Sequence, residues 1–289
     1  MPELPEVENV RRSLQPRLAG RTVVAVEVLR PDIIEGDPRP ESLLLHQRLA
    51  PPLRHGKQLA LAGARDTAAP AGTVNAAGGA IAIHLGMTGS LCLCRPTQPP
   101  APHTHVLWRL DDGGTLAFRD PRRFGGIWTF PSLDVLQRER WSSLGPDALS
   151  LSPDQLAPRL KSSSRGLKAA LLDQALVAGL GNIYTDELLF RCRLHPATPA
   201  QRLTHPQSQN LVHTLRELLH EAVLAGGSTL RDYVDGDGRA GDYQNRHQVY
   251  GKAGQPCPRC STPLTAGTFA GRSTTWCPRC QRKPRSTPG

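Results

Sequence analysis

The stretch Gly166–Pro196, GLKAALLDQALVAGLGNIYTDELLFRCRLHP, decides the fold of the second half of the chain. It predicts a helix from Leu167, a stop at residues 179–182 and a second helix from Ile183. The glycines permit a tight turn, and the free N–H groups at the start of the second helix suit a phosphate. Asn182 is predicted to cap this helix and to donate to a phosphate oxygen. Helix pairs of this kind are common, so the stretch alone is equally compatible with a purely structural role.

Four cysteines near the C-terminus form two CxxC pairs, with sixteen residues between the pairs. This spacing predicts a tetrahedral zinc site, in which each CxxC places two sulfurs on one tight knuckle. Four thiolates leave no open position for water, so we expect one structural Zn²⁺ and no redox cofactor. The residues between the pairs predict a β-hairpin whose turn carries Arg272, an arginine suited to a phosphate contact. The ligands are Cys257, Cys260, Cys277 and Cys280.

Charge indicates the class of partner. The 289 residues include 35 Lys and Arg against 25 Asp and Glu, a formal net charge of +10. Such an excess favours a polyanionic partner, most simply nucleic acid, although a GC-rich coding bias would also enrich arginine. No apolar run approaches the roughly 18 residues of a membrane span, and the first thirty residues lack a signal-peptide core. We therefore expect a cytoplasmic protein.

The first half of the chain combines one helix with short strands. Apolar residues recur at steps of three and four from Val7 to Leu18, Pro5 suits a first helical turn, and Gly20 suits the stop. Glu6 and Glu8 favour the positive end of the helix dipole. Strands are then predicted in TVVAVEVL, KQLALAG, AIAIHLG, THVLWRL and TLAFRD. The Ala- and Gly-rich residues 64–80 are expected to form a surface loop between two of these strands.

The sequence pattern changes near residue 131, where SLDVLQRERW (132–141) predicts a short helix and LGPDALSL predicts a connector. From Ser152 to Gly226 the periodicity is helical. Ser152-Pro153-Asp154-Gln155 has the pattern of a helix start with a capping box. A later helix, NLVHTLRELLHEAVLAGG, ends at a Gly-Gly stop. Residues 228–251 show no period and predict a mobile loop.

Four regions, taken in order, resemble the bacterial formamidopyrimidine-DNA glycosylases, enzymes that remove 8-oxoguanine and ring-opened purines. The similarity covers almost the whole chain. The main difference from the family is the stretch of residues 64–80, which is longer than expected. The stretches that carry it are MPELPEVE (1–8), HLGMTGSL (84–91) with DPRRFG (120–125), LLDQALVAGLGNIYTDELLF (171–190) and GRSTTWCPRCQ (271–281).

The resemblance implies an α+β fold. It consists of an N-terminal β-sandwich with a flanking helix, a C-terminal helix-two-turns-helix domain and the four-cysteine zinc β-hairpin. The expected ranges are a catalytic sandwich at 1–131, a hinge at 132–150, a helical DNA-binding domain with a lesion-capping loop at 151–251, and the zinc finger with a basic tail at 252–289.

The resemblance also implies the catalytic residues. In this family the initiator methionine is removed and the amine of a proline, here Pro2, becomes the nucleophile. Glu3 matches the general acid/base, and Glu6 matches a second functional carboxylate, although its charge at a helix start explains it equally well. Lys57 and Arg272 match residues that contact phosphates beside the lesion. Without the resemblance, Lys57 would be interpreted as a solvated surface charge.

The remaining matched residues are expected to bind DNA. His84 and Asn182 complete the phosphate contacts that extrude the nucleotide. Met87, Arg122 and Phe124 match three side chains that fill the gap left by the flipped base, whereas without this context Met87 and Phe124 would be assigned to the core. Lys168 matches a lysine associated with lesion recognition.

The function implied is that of a monomeric base-excision-repair glycosylase and AP lyase acting on oxidised purines in double-stranded DNA, in the bacterial nucleoid. Strand cleavage would proceed through a Schiff base followed by β/δ elimination. Two alternatives remain open from the sequence: an endonuclease VIII-like enzyme for oxidised pyrimidines and a non-catalytic zinc-ribbon DNA-binding protein. MPELPEVE and DPRRFG favour the purine branch.

Overall fold

The computed structural model describes residues 2–64, 78–94 and 100–283. Most of the predicted 64–80 loop and the end of the basic tail lie outside these residues. The described chain forms two compact units, residues 1–143 with 223–244 and residues 144–222 with 245–289. Its helices are α1 Leu4–Leu18, α2 Leu133–Leu136, α3 Pro153–Lys161, α4 Leu167–Leu172, α5 Asn182–Arg191 and α6 His205–Leu224.

The first unit contains two mostly antiparallel sheets, in agreement with the predicted sandwich. The first sheet has the order β1-β8-β9-β7, and the second has the order β2-β10-β6-β5-β3, with β4 paired to β5. One buried core takes residues from both sheets and from α1. The strands are β1 Val23–Val28, β2 Ile34–Glu35, β3 Arg48–Leu49, β4 Leu53–His55, β5 Gln58–Ala64, β6 Ala80–His84, β7 Ser90–Cys94, β8 Thr104–Leu110, β9 Thr115–Arg119 and β10 Gly126–Phe130.

The outer face of the second sheet is covered by a short helix. Alanines of β5 and β6 are buried against Leu136 of α2, and Trp128 of β10 packs against the same cluster. Small side chains on the sheet allow the helix to approach closely. The predicted short helix at 132–141 consists of α2 followed by a π-helical turn, Gln137–Trp141.

Helix α1 matches its prediction, beginning one residue before Pro5 and ending before Gly20, which has φ +81°. Glu8 joins this helix to β4 through an ion pair of 2.9 Å with Arg54 Nε, and it also pairs with Arg11 and Arg12. Burial opposes ionisation of Glu8, but the hydrogen bonds from these three arginines outweigh it and lower its pKa to about 2.

Replacing Glu8 with Gln is expected to lower the free energy of unfolding at pH 7 by about 3 kcal/mol, because it removes a buried carboxylate that pairs with three arginines. The folded-state pKa lies below the ordinary 4.5, so the contribution is present above pH 4.5 and is lost as the pH falls towards 2. Urea unfolding at pH 7 and pH 3 measures both effects.

The control for this measurement is Glu27→Gln, which removes a carboxylate whose ion pair with Arg109 is half exposed. This variant should unfold almost as the wild type does, because exposed pairs contribute little. A deficit for Glu8→Gln that stayed equally large at pH 3 would contradict the electrostatic explanation.

Residues 223–244 pack against the sandwich, although their lack of period predicted a mobile loop. The Gly236 N–H donates to Ser13 Oγ at 2.8 Å, and the Leu93 N–H donates to the Gly236 carbonyl at 2.9 Å. The Tyr233 side chain is buried, and its hydroxyl donates to the Glu6 carbonyl at 3.1 Å. A segment placed with the helical domain by the predicted ranges is therefore part of the first compact unit.

The second unit contains the helices predicted from periodicity. Ser152 caps α3 with a capping box, and α4 and α5 flank the turn that ends at Gly181. Gly179 has φ +116°, a conformation that glycine adopts at little cost. Among the helices that the structure describes, none is long and apolar enough to cross a membrane.

The same unit ends in a β-hairpin formed by β11 Thr265–Phe269 and β12 Arg272–Trp276. Ala270 and Gly271 both have positive φ, as a two-residue turn of type I′ requires. The hairpin joins a core that includes Phe190 of α5 and the cysteines Cys257 and Cys277. The sequence therefore located this hairpin correctly, but Arg272, which was predicted to lie in the turn, is the first residue of β12.

Candidate functional site

The N-terminus of α1 holds two buried carboxylates directly after Pro2. Glu3 is the N-cap, and its N–H donates to Glu6 Oε2 at 2.7 Å within a capping box. Glu6 Oε1 accepts the Ser228 N–H at 2.7 Å, so segment 223–244 is bound to the same side chain. Both carboxylates are about 1% exposed. Glu6 thus fixes the backbone around Glu3, which orients the residues predicted to carry the chemistry.

Lys57 lies in the turn that precedes β5, and His84 ends β6, the strand that pairs with β5. Lys57 is largely buried in the turn between β4 and β5, and its neighbour Gln58 pairs in register with His84. The structure thus brings together two of the predicted phosphate contacts within the first unit.

His84 is held in one tautomer. The Gly86 N–H donates to His84 Nδ1 at 3.0 Å, so the hydrogen of the neutral ring resides on Nε2. Burial, together with the smaller effects of the charges of Lys57 and Arg140, lowers the pKa of His84 to about 4. At neutral pH this residue is a neutral hydrogen-bond donor in positively charged surroundings, which suits a phosphate oxygen.

The three predicted gap-filling side chains belong to two neighbouring loops of the first unit. Met87 is 40% exposed and Phe124 is 56% exposed, which is unusual for large apolar side chains in loops. The Arg122 guanidinium lies over the Phe124 ring, 4.5 Å from its centroid. Met87 and Phe124 therefore lie at the surface, which excludes the alternative that assigned them to the core.

Asn182 contacts the hairpin of the second unit beside Arg272, near the hairpin turn. Asn182 is the first residue of α5 and not its cap, a position that Gly181 occupies. Its Nδ2 donates to the Ser273 carbonyl at 2.9 Å, next to the exposed Arg272. Arg272 begins β12 directly after the turn. One hydrogen bond therefore sets the spacing of two predicted phosphate contacts.

Lys168, which was matched to a lysine associated with lesion recognition, has no exposed surface. Its ammonium contacts Asp186 Oδ1 at 2.6 Å and Thr274 Oγ1 at 2.7 Å, while the Thr275 N–H donates to Asp186 Oδ2 at 3.0 Å. Burial raises the pKa of Asp186 to about 6 against the opposing charge of Lys168. The buried ion pair positions β12 on α5, and the contribution of Lys168 to lesion recognition stays a prediction.

The four C-terminal cysteines form a structural zinc site. Their sulfur atoms all lie within 4.8 Å of one another. Three of the Sγ–Sγ separations are 3.5, 3.5 and 4.0 Å, close to the ~3.8 Å edge of a tetrahedron with ~2.3 Å Zn–S bonds. The Cys280 N–H also donates to Cys277 Sγ at 3.3 Å, which stabilises thiolate charge. The donor set therefore fits a zinc ion without rearrangement.

Two residues with a role at the surface of the first unit were missed by the sequence reasoning. Asp120 is fully buried and accepts hydrogen bonds from both gap-filling loops. Arg140 stacks on Trp128 at 3.4 Å and contributes positive charge near His84. The Asp in DPRRFG was a signal for the first, whereas nothing local to Arg140 distinguishes it from other arginines.

Three family models match consecutive parts of the chain. The formamidopyrimidine-DNA glycosylase N-terminal domain matches residues 1–127, and the H2TH domain of the same glycosylase matches residues 144–234. A zinc finger found in FPG and IleRS matches residues 254–282. Together these models cover both sheets, the helical region and the cysteine hairpin.

Relatives and solved structures agree with these matches. The formamidopyrimidine-DNA glycosylase of Geobacillus kaustophilus is 40% identical over 287 residues, 98% of this chain and 100% of that protein. The MutM (Fpg) structure from Thermus thermophilus has a TM-score of 0.83 at 40% identity, covering 98% of this chain and 100% of that one. A Lactococcus lactis Fpg mutant bound to Fapy-dG-containing DNA has a TM-score of 0.86 at 32% identity, with the same coverage.

Proposed function

Because the chain belongs to the formamidopyrimidine-DNA glycosylase family, we propose that it excises 8-oxoguanine and formamidopyrimidines from duplex DNA and then cleaves the strand as an AP lyase. The observation that carries the proposal is the buried Glu3, fixed by Glu6 directly after Pro2. A related Lactococcus lactis enzyme with Fapy-dG-containing DNA supports the purine class.

The nucleophile is the amine of Pro2 after removal of Met1. Its lone pair forms a bond to C1′ of the damaged nucleotide while the bond from C1′ to the base breaks. An α-amine with a reference pKa of ~8 is substantially neutral at working pH, whereas a lysine amine at ~10.4 is not. Opening of the sugar ring gives an iminium ion, which acidifies the C2′ hydrogen and permits β and then δ elimination of the two phosphates.

Glu3 is the general acid/base of this sequence. It protonates the sugar ring oxygen as the ring opens and transfers protons in the later steps. Glu6 does not need to touch the substrate for this, because its carboxylate already binds the backbone N–H groups of Glu3 and Ser228. It orients Glu3 and the segment beside it.

Binding uses phosphate contacts and gap filling. Lys57, His84, Asn182 and Arg272 contact phosphates around the everted nucleotide. Met87 and Phe124 occupy the vacated stack, while Arg122 donates to the orphaned cytosine. The surface position of these apolar side chains supports that role.

The zinc ion is structural: when bound by the four thiolates, it cross-links the two CxxC pairs. We further propose that the protein acts as a monomer on chromosomal DNA in the bacterial cytoplasm. Bacterial relatives support that compartment, and size-exclusion chromatography with light scattering measures the oligomeric state.

Borohydride trapping on a duplex with one 8-oxoguanine opposite cytosine tests the proposal, with a thymine-glycol duplex and an undamaged duplex alongside. We expect a covalent adduct on the 8-oxoguanine duplex, because hydride reduces the iminium ion to a stable amine. An adduct on the thymine-glycol duplex alone would move the substrate to oxidised pyrimidines. No adduct on either lesion, from protein whose Met1 is removed, would overturn the lyase mechanism.

A further inference from the structure

Asp120 directly follows β9 and begins the loop that carries Arg122 and Phe124. Its carboxylate has no exposed surface, an expensive placement for a charged group in a loop. The backbone on either side of this carboxylate is also held: His105 Nε2 contacts the Asp120 carbonyl at 2.9 Å, and the Asp120 N–H donates to the His103 carbonyl. The residue is therefore a fixed point attached to β8.

The carboxylate binds two loops at once. Oδ2 accepts the Gly125 N–H at 2.8 Å, and Oδ1 accepts the Thr88 hydroxyl at 2.6 Å. The Arg122 N–H is shared between Thr88 Oγ1 at 3.2 Å and Asp120 Oδ1 at 3.3 Å. Since Thr88 directly follows Met87, one side chain links the loop that carries Met87 to the loop that carries Arg122 and Phe124.

The two loops also touch through their backbones. A Cβ at Gly86, which has φ +60°, would lie 2.3 Å from the Gly125 nitrogen. A Cβ at Gly125 would lie 2.4 Å from the His84 carbonyl oxygen. No side chain fits at either position, and the loops have no soft layer between them.

We propose that Asp120, acting through Thr88, is the positioning residue that holds Met87, Arg122 and Phe124 in one arrangement for entry into the duplex. The inference rests on the proposed function, since it assigns these three side chains to the gap left by an everted base. Pre-organised exposed side chains enter a stack without first losing their conformational freedom. Without this anchor the base would be extruded less often, while the chemistry at the sugar would be unaffected.

The test compares a substrate that needs base eversion with one that does not. Trapping rates are measured on an 8-oxoguanine duplex and on a duplex with an abasic site, where no base has to leave the stack. Asp120→Asn replaces one carboxylate oxygen with an NH₂ group, which faces the hydrogen-bond donors that the carboxylate binds. Thr88→Val removes the hydroxyl that bridges the two loops and keeps the shape of the side chain. Each is expected to slow trapping on 8-oxoguanine by about ten- to hundredfold, with less than about threefold change at the abasic site.

Two controls accompany these variants. Thr88→Ser keeps the hydroxyl and should restore a rate near that of the wild type. Asp112→Asn removes an exposed carboxylate that accepts an N–H group in the β8–β9 turn, and it should leave both rates unchanged. Thermal melting monitors folding. If Asp120→Asn does not fold, the comparison of Thr88→Val with Thr88→Ser tests the positioning role.

The outcomes separate the inference from the function. Equal loss on both duplexes, or a Thr88→Val variant that behaves as the wild type, would overturn the positioning role. A wild-type protein that forms no adduct on either duplex would instead overturn the proposed function and remove the basis of the inference.

Discussion

Pro2→Leu is expected to form no borohydride-trapped adduct, whereas Pro2→Gly is expected to retain a reduced amount. Methionine is normally removed before a small residue and kept before a large one, so the Leu variant retains Met1. Its nitrogen at position 2 is then an amide, whose lone pair is delocalised into the carbonyl and does not attack C1′. The Gly variant exposes a primary amine, which reacts but lacks the proline ring that holds the nitrogen in place.

The measurement has three parts. Intact mass establishes whether Met1 is present in each variant, and trapping on 8-oxoguanine and abasic-site duplexes gives the adduct yield. Affinity for a duplex with a non-cleavable abasic analogue should be similar for all three proteins, because the phosphate contacts are untouched. Normal trapping by a Leu variant of confirmed mass would show that another amine is the nucleophile, and Lys57 would then be examined first.

Local patterns predicted the elements of this fold well. Strand β8 spans the predicted residues, and Ser152 forms the predicted capping box at α3. The two CxxC pairs located the zinc site because the metal itself imposes their spacing. In each case the residues that determine the structure are close in sequence, so a single window contains the information.

Long-range contacts were not predictable in the same way. Lys168 is buried because of Asp186 and Thr274, which lie 18 and 106 residues away in the chain. The segment containing Tyr233 lacks a period, yet it packs on α1 through an aromatic side chain and a bond to Glu6. Aperiodic sequence does not specify a partner, and a matched motif does not reveal whether a charge faces water or its counter-ion.

Cys277→Ser is expected to eliminate zinc binding and to unfold the β11–β12 hairpin. A two-stranded hairpin is marginally stable by itself, and structural zinc contributes about 10–16 kcal/mol in small domains. Cys277 is fully buried, and its Sγ also accepts the Cys280 N–H, so the hydroxyl of serine replaces neither function. The variant should contain no zinc and should lose amide protection in residues 265–276.

Arg272→Ala separates the contact from the scaffold. It should weaken binding to an abasic-analogue duplex by about ten- to hundredfold, the effect of one charge-assisted hydrogen bond, and keep its zinc. Cys277→Ser should weaken binding at least as much, since a disordered hairpin presents neither Arg272 nor the Ser273 carbonyl that holds Asn182. Cys192→Ser, at a half-buried thiol outside the zinc site, controls for the substitution itself.

The Lys168–Asp186 pair makes this comparison informative. It attaches β12 to α5 through Thr274 and Thr275 without any help from the metal. A zinc-free Cys277→Ser protein that kept hairpin protection and DNA affinity would show that this buried pair is sufficient to hold β12. Because burial of a charged pair is costly and seldom stabilises a fold by itself, we expect the pair to set the register of the hairpin and the zinc ion to supply its stability.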